Sequence, residues 1–101
     1  MTDSLDSLNQ AEVFQQAAAL ARQAGNLERA LAYLDQAIAL SPQESRNHFL
    51  RGLTLEDLCR PDEAIASLQN AIRVKPDYAE AYNTIGIILH DQKRFEQAAA
   101  N

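Results

Sequence analysis

The side chains best equipped for chemistry in this sequence are His48, His90, the single cysteine Cys59, and the carboxylates Glu56, Asp57 and Asp91. Metal binding or acid–base catalysis needs such groups in clusters, and here neither histidine has a second histidine or a pair of carboxylates at metal-ligand spacing. His48 falls at a packing position and reads as a core histidine. His90 beside Asp91 reads as a solvated polar rim. Cys59 alone can form neither an internal disulfide nor a cysteine-based metal site, and its neighbour Arg60 could lower its pKa, but a half-buried, unreactive thiol is the better expectation. There is no glycine-rich phosphate loop, no Ser-His-Asp order and no carboxylate pair placed for proton transfer. The chain is therefore expected to be no enzyme and to hold no metal or cofactor.

What must position these residues follows from composition. A chain of 101 residues with 47% hydrophobic residues can bury one core. Three glycines and three prolines leave room for long uninterrupted segments, and helix formers dominate, so the expected class is all-α. A formal charge of −5 repels phosphate backbones, and the nine basic residues are scattered, which argues against a nucleic-acid partner. The first ten residues carry acids rather than a basic start before an apolar stretch, and no run is long enough to span a bilayer, so no membrane role is expected. One cysteine and no leader point to the cytoplasm.

A period of 34 residues organises the chain. It aligns Ala30 with Ala64 and Ala98, Pro42 with Pro76, Gly52 with Gly86, Leu34 with Leu68, and Ala37 with Ala71. Phe14, His48 and Tyr82 stack at one position, and Leu27, Pro61 and Phe95 at another. Within a unit, Phe14, Ala17, Ala18 and Ala21 share one helical face, and Leu27, Ala30, Leu31, Leu34, Ala37 and Ile38 share another. Gly25 and Asn26 suit the turn between them, and Pro42 and Pro76 close each unit. Helices are expected over roughly 8–24, 27–40, 45–58, 62–74, 79–92 and from 95 onward.

This pattern resembles the tetratricopeptide repeat (TPR), whose 34-residue unit carries an aromatic, Leu-Gly, a large residue, Ala, an aromatic, Ala and Pro. After an extension over 1–10, the repeats run 11–44, 45–78 and 79–101, the third incomplete. Its Tyr82, Ile85, Gly86, Leu89 and Ala98 fit best. The second has Arg51 where Leu is usual, and the first has Ala17 and Ala18 in place of Leu-Gly. The resemblance implies a right-handed superhelical solenoid of antiparallel helix pairs and a function in protein binding, as a scaffold or adaptor.

The resemblance also implies that the first helix of each repeat lines a concave groove. It selects Phe49, Leu53, Glu56, Asp57, Asn83, Ile87 and Asp91 as contacts, with an apolar centre and an acidic flank. The matching partner is a peptide or helix with apolar anchors and a Lys or Arg. Positions that clamp chaperone tail carboxylates in one subset of the family hold Gln15, Ala19, Leu50, Glu80 and Thr84, none of them cationic. The cut third repeat leaves Ile85, Ile88, Leu89 and Phe95 without a capping helix. Two readings follow: an amino-terminal recruitment domain of a longer protein, such as a bacterial transferase, or a homo-oligomer through the open third-repeat end.

Overall fold

The computed structural model describes the backbone of residues 3–100 and the side chains of residues 9–99. Five α-helices follow one another: α1 (Asp3–Gln23), α2 (Leu27–Leu40), α3 (Ser45–Asp57), α4 (Pro61–Val74) and α5 (Ala79–Ala100). α1 packs on α2 and α3 on α4; α3 then rests on α2, and α5 on α4. The result is elongated, 60 × 31 × 16 Å with a radius of gyration of 15.0 Å, against about 13 Å for a compact chain of this length.

Small residues set the spacing of each pair. Ala30, Leu34 and Ala37 of α2 and Ala64, Leu68 and Ala71 of α4 are all fully buried. A methyl group added to Gly52 would sit 2.7 Å from Leu68 Cγ and 3.2 Å from the Ala64 carbonyl oxygen, so glycine is what lets α3 and α4 approach. Arg51, standing where the repeat pattern favours leucine, brings its own partners: Nε donates to Asp35 Oδ1 at 2.7 Å and a terminal nitrogen donates to buried Ser67 Oγ at 2.6 Å. His48 is buried as expected, its Nε2 2.8 Å from the Pro42 carbonyl oxygen.

The two reversals inside the pairs are the same structure shifted by one repeat. At the end of α1, Gly25 has φ 79°, its N–H donates to the Arg22 carbonyl, and the Asn26 N–H donates to that of Ala21. At the end of α3, Cys59 has φ 61°, its N–H donates to the Glu56 carbonyl, and the Arg60 N–H donates to that of Leu55. Both are Schellman ends. Cys59 is exposed, not half-buried as the sequence suggested. Its left-handed backbone is one that a side chain with a Cβ adopts at a cost of roughly 1–2 kcal/mol. Cys59→Gly is therefore expected to stabilise the fold by about 1 kcal/mol, measured as a higher urea midpoint.

Two helix boundaries depart from expectation. α1 starts at Asp3, taking up most of the supposed extension, because no Gly or Pro interrupts residues 3–24 and acids sit in its first turn. The expected turn at 93–94 does not form: α5 is a single helix of 22 residues. The first reversal has Gly25, and the second has Pro61, which cannot continue a helix. At the corresponding positions α5 has Lys93 and Phe95, both compatible with helix, so nothing stops it. Phe95 ends 77% exposed and Leu89 52% exposed, whereas Ile88, also expected to be uncovered, is buried against the second repeat.

Candidate functional site

Two inter-helix seams bring polar side chains together. Between α1 and α3, Gln15 Nε2 donates to buried Asn47 Oδ1 at 2.7 Å, and Arg22 donates to Thr54 Oγ1 at 2.7 Å and to Asp57 Oδ2 at 3.1 Å. Thr54 in turn donates to the Leu50 carbonyl, so no buried polar group of this seam lacks a partner. A cleft of about 310 Å³ lies over it, lined by Gln15, Gln16, Ala19, Arg22, Arg46 and Leu50 among others. These residues belong to the first helices of the first two repeats, and the structure brings them into one surface.

The second cleft, about 390 Å³, lies where α3, α4 and α5 meet. Its walls are Cys59, Pro61, Ile88 and Phe95, and its polar groups are Glu56, Asp91 and Gln92. Gln92 Nε2 donates to Asp62 Oδ1 at 3.2 Å, tying α5 to the start of α4. Burial, reinforced by the nearby Asp57 and Asp91 carboxylates, holds the Glu56 carboxyl above its ordinary range. Arg60, the nearest cation in sequence to Cys59, is taken up by Glu63, which accepts two hydrogen bonds from it at 2.9 and 2.7 Å.

Of the seven contacts selected from sequence, Glu56 and Asp91 meet in this cleft, and Asp57 lies beside them but is tied to Arg22. Asn83, Ile87 and Asp91 follow at four-residue intervals along α5, all exposed, Ile87 by 48%. Leu53 is half-buried against the core. Phe49 is a correction. It is only 7% exposed, because the Tyr78 ring stacks on it with centroids 5.0 Å apart, under the Lys75 ammonium 4.8 Å from the Tyr78 centroid. The repeat register placed Phe49 on the groove; a tyrosine in the α4–α5 connection, outside the repeat pattern, covers it.

Sequence reasoning missed Ile88, Gln92 and Phe95 as cleft walls. The signal was the absence of Gly or Pro at 93–95, which extends α5 past Pro61. It also missed that the surface is bipolar, with Arg22 of the first repeat and Arg46 of the second lining one cleft and the Glu56 and Asp91 carboxylates of the second and third repeats lining the other.

Glu56 makes the acidic end pH-sensitive. Because its folded pKa is raised, its favourable contribution is complete below the ordinary value of 4.5 and is lost as pH rises through the folded value. Glu56→Gln is expected to raise the urea midpoint at pH 7 and to leave it unchanged at pH 4.

Among the described residues, no helix is long and apolar enough to cross a membrane. A family model described as the tetratricopeptide repeat matches residues 16–69, and another, of the TPR repeat, matches residues 60–93. A curated relative, the Hsp70-Hsp90 organizing protein of Triticum aestivum, is 32% identical over 63 residues, which are 62% of this chain and 11% of that protein. The crystal structure of MamA superposes with a TM-score of 0.83 at 24% identity, covering 95% of this chain and 56% of that one. The Arabidopsis OM64 TPR domain gives 0.83 at 20% identity, covering 93% and 78%. A Thermobaculum terrenum O-GlcNAc transferase mutant gives 0.75 at 30% identity, covering 79% and 15%. The chain thus spans about a tenth of the curated relative and about half of MamA. With more than half of its residues matched by the repeat model and its helices packed in the same pairs as solved TPR domains, this chain belongs to the tetratricopeptide-repeat family.

Proposed function

We propose that the chain is a non-catalytic adaptor that holds a partner segment along α3 and α5, with Leu53 and Ile87 receiving apolar side chains and Glu56 and Asp91 receiving a Lys or Arg, while Asp57 is held by Arg22. The observation that carries this reading is the cleft in which Glu56 and Asp91 stand over Ile88 and Phe95. An apolar wall beside the Glu56 and Asp91 carboxylates favours an apolar side chain next to a cationic one, since a cation stabilises the Glu56 carboxylate that burial, and then the neighbouring Asp57 and Asp91, disfavour. The reducing cytoplasm suits its exposed single thiol. Although a relative is named for organising Hsp70 and Hsp90, Gln15, Ala19, Leu50, Glu80 and Thr84 offer no cation to clamp a chaperone tail, so chaperone tails are not the proposed ligand.

Selection from a displayed random-peptide library tests the reading. Recovered sequences are expected to pair Leu, Ile or Phe with Lys or Arg within one helical turn. Ile87→Glu, at an exposed position, should abolish recovery with unchanged circular dichroism. Recovery of acidic sequences, or indifference to Ile87→Glu, would sink the proposal. A second reading, recruitment domain of a larger protein such as a transferase, is favoured by the 15% share of the O-GlcNAc transferase chain that this sequence covers. It uses the same groove.

A further inference from the structure

Gly86 is the repeat equivalent of Gly52, and the two have opposite surroundings. A Cβ at Gly52 would collide with Leu68; a Cβ at Gly86 would meet nothing within 4 Å. A glycine inside a helix costs roughly 0.5–1 kcal/mol relative to alanine, which Gly52 offsets by admitting α4. In the isolated chain Gly86 has no such return. The notch lies on a stripe of α5 made by Tyr82, Gly86, Leu89 and Lys93, at i, i+4, i+7 and i+11, with Tyr82 55% and Leu89 52% exposed. This is the face that on α3 receives α4.

We infer that this stripe is a self-pairing surface on which α5 of a second copy lies antiparallel, each Leu89 seated in the notch of the other copy's Gly86. The occupant follows from the face itself. A single stripe carries both the glycine notch and, one turn on, an exposed leucine, the residue type that Leu68 of α4 supplies to the Gly52 notch, so it is complementary to its own two-fold image. The register that sets Leu89 opposite Gly86 also sets Tyr82 opposite Lys93, an aromatic face against an ammonium. α5 continues past Lys93, and in this register the two copies overlap over residues 79–96, a contact strip about 27 Å long at 1.5 Å per residue. Ile87 is turned about 100° away from Gly86, so the pairing leaves the groove open. One helix pair buries less than the roughly 800 Å² per partner of a standard interface, so the dimer is weak and appears with rising concentration.

Sedimentation equilibrium of the full chain from about 5 to 500 µM tests this, a range chosen for an interface of that size. The mass is expected to climb from 11.2 kDa toward twice that value. Gly86→Glu, whose Cβ meets no atom within 4 Å in the single chain, is expected to hold it at one chain throughout while keeping the helical circular dichroism. Amide exchange should slow over residues 82–93 with concentration and stay constant over 13–20. A single-chain mass at every concentration overturns the inference. So does a dimer that survives Gly86→Glu. A synthetic peptide of residues 61–74 provides a third arm: if it protects 82–93 while the chain stays monomeric, the stripe takes an α4-like helix and not a second α5.

Discussion

Gly52→Leu is expected to destabilise the fold by about 3 kcal/mol, the upper part of the range for overpacking a core, and Gly86→Ala to stabilise it by about 0.5–1 kcal/mol in dilute solution. Both are glycine-to-larger changes at repeat-equivalent positions in the first helix of a repeat, so propensity alone predicts the same sign for both. Contact decides. At Gly52 the first added carbon already overlaps Leu68, which is fully buried and cannot swing into solvent, and it also presses on the backbone oxygen of Ala64. Leucine adds three more carbons there, and α3 and α4 must separate. At Gly86 the methyl enters open space, and only the helix-propensity gain remains. Urea unfolding of the two variants at a few micromolar, where the single chain prevails, reads the difference. Equal shifts of one sign would mean that the α3–α4 spacing is not set by Gly52.

Phe49→Ala is expected to cost about 3–5 kcal/mol, the range for removing a buried phenylalanine, and to lose partner binding only because the chain unfolds. Its ring fills the space between α3 and Tyr78, which is itself buried and joins the second repeat to α5. Loss of that stack weakens the hold on α5, leaving Ala81, Ile88 and the Gln92–Asp62 hydrogen bond to keep it in place. By contrast Ile87→Glu, on an exposed face, should change stability by no more than about 0.5 kcal/mol. If Phe49→Ala melted at the parent's urea midpoint yet failed to bind, Phe49 would be a contact after all.

The repeat period made most of the fold legible. Ala30, Leu34, Ala37, Ala64, Leu68 and Ala71, picked out by the 34-residue shift, are all fully buried in the two pairs. The turn at Gly25 was also readable, since a left-handed backbone after a helix asks for glycine. The turn at Cys59 was readable only through Pro61. Periodicity misled at Lys93, because a repeat register records where a turn belongs but not whether a breaker is present to make it. It misled at Phe49 for a related reason: Tyr78 lies in a connection, and its partner is chosen by tertiary proximity. The acidic trio was visible in sequence, but that Asp57 is already satisfied by Arg22, 35 residues away, required the packing of α1 on α3.

The account rests on the acidic, apolar cleft between α3 and α5 as the place where a basic, apolar segment is held. Its most direct test is a charge swap by calorimetric titration at pH 7, using one helical peptide with a Leu-Lys anchor and its twin with Glu in place of Lys. The parent chain is expected to bind the Lys peptide at least tenfold more tightly, which corresponds to about 1.4 kcal/mol, and Asp91→Lys to reverse the preference. Equal affinity for the two peptides, or an Asp91→Lys chain that still prefers Lys, would contradict it.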